Sequence, residues 1–208
     1  MLFSSIPFLY YFLPIFFLIY FAVPRKFKNF VLLVASLFFY GCGEPKYLIL
    51  MSISILIGYF GGMLTAFAKK KGAKRAFLSL SVLLLAGLLG YFKYADFFIS
   101  NFNALTGLSV PLLRVTLPIG ISFYTFQILS YVVDVYRGDT PVQKNLITFA
   151  AYVSMFPQLI AGPIVRYTDV EKELETRTHS VILAYDGVKR FLIGLSKKIL
   201  LANLFAEL

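Results

Sequence analysis

The spacing of its charges constrains this chain more than any other feature. Residues 1 to 24 carry no charged side chain, and charge-free stretches recur at 29 to 43, 47 to 68, 76 to 92, 97 to 113 and 145 to 165. A helix needs about 20 apolar residues to cross the hydrocarbon core of a bilayer. In lipid, only helices and closed barrels satisfy every backbone N–H and C=O. Composition agrees: 59% of the 208 residues are hydrophobic and 14% are charged, against about 45–50% and 25% in soluble domains. Such a chain cannot face water on all sides. The pattern predicts an all-α, multi-pass integral membrane fold of about five to six transmembrane or re-entrant helices. No separate soluble domain is expected between residues 1 and 208.

The spans are expected in this order. Residues 1 to 24 lack a basic n-region and are followed by Arg25, Lys26 and Lys28, which reads as an uncleaved first span with its N-terminus outside. Residues 29 to 43 form a second, and Tyr47 to Ala68 a third. The cluster Lys69, Lys70, Lys71, Lys74 and Arg75 then marks a cytoplasmic loop. The fourth span is Ala76 to Phe92; residues 97 to 113 read as an interfacial helix and an outer loop. Val115 to Val133 is a fifth span with Pro118 and Gly120 near its start. Pro157, Gly162 and Pro163 interrupt residues 145 to 165 and predict a broken or re-entrant helix. Thr168 and Glu171 have capping-box spacing. Val181 to Leu208 reads as a basic amphipathic helix in the cytoplasmic interface, with Lys189, Arg190, Lys197 and Lys198 largely opposite Ala184, Val188 and Leu192.

The net charge of +10 does not indicate nucleic acid. Residues 1 to 75 hold nine basic and one acidic side chain, and the remainder eleven and nine, so the excess flanks apolar runs as the positive-inside rule requires. The single Cys42 excludes an intramolecular disulfide and a thiolate metal site. No Walker or dinucleotide glycine pattern is present. His179, the only histidine, lies in a polar stretch and reads as solvated.

The polar residues inside the apolar segments are more informative. Tyr124, Gln127, Tyr131 and Asp134 recur at helical spacing and share one face, and polar groups within a span line a bundle interior or an aqueous path. A plainer alternative pairs Asp134 with Arg137 at the cytoplasmic end and makes the tyrosines interface anchors. Gln158 and Arg166 flank the Pro and Gly breaks, where freed backbone groups and side chains can meet a polar ligand or merely shape packing. These six residues are the candidates for a substrate tunnel.

The strings LPIGISFYTFQILSYVVDVYRG, from Leu117 to Gly138, and FPQLIAGPIVRYTDV, from Phe156 to Val170, resemble two recurrent blocks of the membrane-bound O-acyltransferase family. FSSIPFLYYFLPIFFLIYF, ASLFFYGCGEPKYLILM and GLSKKILLANLFAEL add to the resemblance, in order. The similarity is strongest to the bacterial branch that includes alginate O-acetylation proteins and the D-alanyl transfer protein of teichoic acids. Cys42 stands where relatives often carry a tryptophan.

The resemblance implies a multi-pass protein of the bacterial cell membrane, with the 69 to 75 loop cytoplasmic. It implies transfer of an acetyl or other short acyl group to hydroxyls of an exported or cell-surface polysaccharide. The donor would be an activated thioester, acetyl-CoA or an acyl carrier protein, used as co-substrate with no bound cofactor. Implied partners are the bilayer, the polysaccharide acceptor, and acyl-carrier or periplasmic or extracellular acetylation proteins. The family's base is a histidine in a later apolar helix, so the resemblance covers its amino-terminal half, implies a chain inactive alone, and assigns no catalytic role to His179. Other functions for the same features are a small transporter or channel subunit, or an inactive assembly partner.

Overall fold

The computed structural model describes residues 3–159 and 163–206 and is helical throughout, with no strand among them. Helix α1 (Pro7–Ala22) opens with π-type turns at Pro7–Phe12. After a 3-10 turn, Arg25–Phe27, come α2 (Lys28–Gly41) and α3 (Leu48–Phe67), the latter preceded by a second turn at Pro45–Tyr47. Then follow α4 (Lys71–Thr106), α5 (Ile121–Arg137), α6 (Leu146–Ser154), α7 (Phe156–Leu159), α8 (Tyr167–Glu175) and α9 (Val181–Lys197). Helix α3 packs on α4 and α5, and α2 on α6.

Among the described residues two helical segments are long and apolar enough to cross a membrane, Pro45–Phe67 and Lys71–Thr106. This is fewer than the five to six spans expected. The α1 segment, Pro7–Ala22, is apolar but shorter, and α2 and α5 have 14 and 17 residues. At 1.5 Å per residue, α2 is roughly 21 Å long, less than the ~30 Å of a hydrocarbon core.

Helix α4 corrects a second expectation. It runs unbroken for 36 residues, so Ala76 to Phe92 and the supposed interfacial helix are one rod of roughly 54 Å. Lys93 and Asp96 do not end it because the protein itself satisfies them. Lys93 Nζ lies 3.4 Å from Ser122 Oγ, and Asp96 accepts from the backbone N–H groups of Leu113 (2.7 Å) and Arg114 (3.0 Å). The helix stops at Gly107, which takes the left-handed conformation (φ 71°).

The expected fifth span begins six residues late. Residues 115 to 118 are non-helical, and α5 starts only after Gly120 at φ 77°. A β-carbon there would sit 2.8 Å from the Leu159 carbonyl oxygen, so the position requires glycine on both counts. The preceding strand-like segment is pinned by residues 40 to 47: Tyr40 donates to Ile119 O (3.2 Å), Glu44 accepts from Ile119 N–H (2.9 Å), and Tyr47 donates to Thr116 O (2.8 Å).

The break expected in 145 to 165 is present at Met155, between α6 and α7. Asn145 caps α6 by accepting from Ile147 and Thr148 N–H. A helix continued through Pro157 would lose that residue's amide bond and drive its ring against the Val153 carbonyl. The amide of Phe156, freed by the break, donates to the buried Ser36 Oγ at 3.2 Å. The Phe156 ring meets Phe12 (5.2 Å) and Phe16 (5.2 Å) edge to face and Phe39 (5.7 Å) at a tilt. Gly162, named above as part of the interruption, lies outside the described residues. Helix α8 is capped two residues earlier than expected. Asp169, not Glu171, accepts from the backbone N–H at the helix start, that of Arg166 (3.1 Å), while Glu171 accepts from Thr140 Oγ1 (3.1 Å). Helix α9 begins at Val181 as expected, ends at Lys197 and buries none of its residues; π-type turns at Lys198–Ala202 and a short helix, Asn203–Ala206, take the place of the rest of the expected helix up to 206.

Candidate functional site

The face predicted on α5 is a buried one. Tyr124, Gln127, Tyr131 and Asp134 are each at most 4% exposed, and they turn toward α3, α6 and α8. Three glycines of α3 allow the approach. A β-carbon at Gly62 would sit 2.8 Å from the Tyr131 ring, one at Gly58 would collide with Ile128, and one at Gly61 with Ser81 of α4.

The broken end of α6 organises the polar contacts. The last carbonyls of a helix have no partner within it, and here Tyr152 O accepts from Gln127 Nε2 (3.1 Å) and from Gln158 Nε2 (2.9 Å). Two predicted residues thus converge from opposite sides of the break on one carbonyl. Around it stand three tyrosines. Tyr131 and Tyr152 each meet Tyr167 edge to face, at 5.2 and 5.1 Å. Tyr131 OH accepts from Gln143 N–H (2.9 Å), Gln143 Nε2 lies 2.7 Å from Tyr167 OH, and Tyr152 OH donates to Val165 O (3.0 Å). Burial pushes the Tyr167 phenol up to about 12, and the Gln143 contact offsets part of that rise.

Asp134 pairs with Arg166, whose Nη2 lies 2.6 Å from Oδ1, and not with Arg137 as the plainer reading had it. Helix α5 ends one turn later in a glycine cap, where Gly138 and Asp139 N–H both donate to Asp134 O. The six candidates therefore sort into Gln127, Gln158 and Tyr131 around the end of α6, the ion pair of Asp134 and Arg166, and a separate Tyr124. The Tyr124 hydroxyl and Asp134 Oδ2 are buried without a hydrogen-bond partner among the described residues.

Gln143, Tyr152 and Tyr167 were not singled out from the sequence. Tyr167 lies inside the second quoted block, and Tyr152 stands one turn before the Pro157 break; both positions were available as signals. His179 is exposed and remote from this set, its Nε2 2.8 Å from Lys28 Nζ.

Fold and site define a class: a helical, strongly apolar protein with a buried polar seam at a broken helix. Sequence relatives narrow that class. The chain is 41% identical over its full length to the probable alginate O-acetylase AlgI of Pseudomonas aeruginosa, covering 41% of that protein. It is 43% identical to the one from Pseudomonas putida, covering 44% of it. It is 32% identical to a peptidoglycan O-acetyltransferase of Helicobacter pylori, over 98% of the chain and 45% of the relative. The chain is thus similar along nearly its whole length to O-acetylating proteins of the membrane-bound O-acyltransferase type, and it spans less than half the length of these relatives. No family model and no solved structure matches it.

Proposed function

We propose that this chain contributes the amino-terminal part of a membrane-embedded O-acetyltransferase that esterifies hydroxyls of an exported or cell-surface polysaccharide. The observation that carries this reading is identity of about 40% along the whole chain to O-acetylases of alginate. The donor is an acetyl thioester, of coenzyme A or a carrier protein, entering from the cytoplasmic side, and the acceptor polymer lies on the outer side. In this reading residues 1 to 208 form one multi-pass unit in the bacterial cell membrane, with the N-terminus outside and the 69 to 75 loop inside.

Transfer to a hydroxyl requires a base for the departing proton and donors for the oxyanion. The tunnel runs along the seam formed by Tyr124, Gln127, Tyr131, Asp134, Gln158 and Arg166. Its role is to position substrate: amide and phenol groups offer hydrogen bonds, and the Asp134–Arg166 pair holds α5 to the start of α8. The base comes from elsewhere in the enzyme, so residues 1 to 208 alone transfer no acetyl group. Membranes containing the whole enzyme of which this chain is proposed to be the amino-terminal part, given labelled acetyl thioester and alginate, should produce labelled polymer, and residues 1 to 208 alone should not. Hydrolysis without any polymer labelling, with peptidoglycan and other surface glycans tried as well, would refute the assignment.

A further inference from the structure

A second cluster, of cations, lies where α1 ends, α2 begins and the 176 to 180 connection passes. Lys28 is only 5% exposed. Its Nζ stands 4.7 Å from the centre of the Tyr20 ring, 5.3 Å from that of Phe21 and 2.8 Å from His179 Nε2. Arg177 stacks over Tyr20 at 5.7 Å, and Arg25 is close enough to act on His179. Burying a charge without a counter-charge is costly, yet the one ion pair among the described residues is Arg166–Asp134. Glu173 acts on His179 in the opposite sense but pairs with none of these cations. Helix α2 begins here with no side-chain cap, so its positive end adds to the same field.

Beside the cluster is a cavity of about 660 Å³ with Thr178, His179 and Ser180 along one edge and Phe17, Phe21 and Leu183 among its walls. We infer that the cations bind the phosphate of an anionic phospholipid, whose acyl chain lies in the apolar cavity between α1 and α9. The apolar walls select a lipid over free phosphate, which would leave them unused. In the topology proposed above, Arg25 and Lys28 face the cytoplasmic leaflet, where anionic headgroups attract juxtamembrane cations. The inference rests on that membrane reading and is independent of acyl transfer.

The test is thermal unfolding of the full protein in neutral detergent, titrated with phosphatidylglycerol, phosphatidylcholine of the same chains, or sodium phosphate. Phosphatidylglycerol should stabilise saturably and phosphatidylcholine should not. Arg25→Gln and Arg177→Gln, each melting like wild type without lipid, should weaken the effect roughly fivefold. Lys69→Gln, in the other basic loop, should leave it unchanged. Equal response to both lipids, or wild-type binding by both arginine variants, overturns the site. Full stabilisation by sodium phosphate overturns the lipid assignment. A protein that stays monodisperse without detergent overturns the membrane reading itself.

Discussion

Arg166 and Asp134 form a one-sided ion pair: the carboxylate is buried to 1% exposure while half of the arginine side chain faces outward, with 2.6 Å between Nη2 and Oδ1. Removing the arginine strands a buried charge whose second oxygen already lacks a partner. Arg166→Gln should therefore lower the melting temperature more than Asp134→Asn. The double variant should recover part of the loss, because it removes charge and counter-charge together. A double-mutant cycle from thermal unfolding in detergent measures this coupling, and additive effects would contradict it.

Gln127 and Gln158 share an acceptor, so each insures the other. In Gln127→Leu the Tyr152 carbonyl keeps its bond from Gln158 at 2.9 Å, and the protein should insert and melt close to wild type. If the seam is the substrate tunnel, acyl transfer by the complete enzyme carrying this substitution should nonetheless fall by at least tenfold. Removing both amides leaves the carbonyl without a donor, so the Gln127→Leu, Gln158→Leu variant should lose a further ~1–3 kcal/mol of stability. Wild-type transfer by the single variant would end the tunnel reading.

What the sequence made legible follows from local periodicity. The polar face of α5 could be read because Tyr124, Gln127, Tyr131 and Asp134 repeat at the helical period, and the break near Pro157 because proline cannot continue α6. The errors came from contacts between distant segments. Asp96 lies in the charged gap between the expected fourth span and the 97 to 113 segment, yet its carboxylate holds the amides of Leu113 and Arg114 and the helix runs on. Arg166 was a candidate without a partner, and no local rule connects it to a residue 32 positions earlier. Nor does any local pattern connect Glu44 to Ile119, 75 positions later, whose amide it accepts to fix the segment leading into α5.

The glycines of α3 and α4 should respond with opposite signs. At Gly62 a methyl group meets the Tyr131 ring at 2.8 Å and its hydroxyl at 3.2 Å, and that hydroxyl is held by Gln143. Gly62→Ala should cost about 1–3 kcal/mol through overpacking and disturb the seam. Gly87 is exposed on α4 with nothing near its β-carbon, so Gly87→Ala should add about 0.5–1 kcal/mol. Unfolding of the two variants side by side decides the matter, and destabilisation by Gly87→Ala would mean that this face packs on something further.

Lys28 Nζ is a donor only, so His179 Nε2 at 2.8 Å must be its acceptor, which requires the neutral ring. Local desolvation by the neighbouring side chains and the charges of Lys28, Arg177 and Arg25 hold its pKa below the ordinary 6.5. The native state therefore binds fewer protons than the unfolded chain in this range. The resulting stabilisation is present above pH 6.5 and is lost as pH falls through the native value. The imidazole resonance of this sole histidine should titrate with a midpoint below 6.5, and Lys28→Gln should move it upward. A midpoint at or above that value in the wild type would disprove the contact.

The topology has its own test in the loop before α4. Cys42 is exposed and is the only cysteine, so a Cys42→Ser background carries no competing thiol. Gly72 lies in the first turn of α4 with no atom within 4 Å of a β-carbon, and Gly72→Cys should fold normally. With Lys69, Lys70, Lys71, Lys74 and Arg75 held on the cytoplasmic side, this thiol should resist a membrane-impermeant maleimide in intact cells and react fully after permeabilisation. Labelling in intact cells would invert the proposed orientation, moving Arg25 and Lys28 to the outer leaflet and the donor entrance away from the cytoplasm.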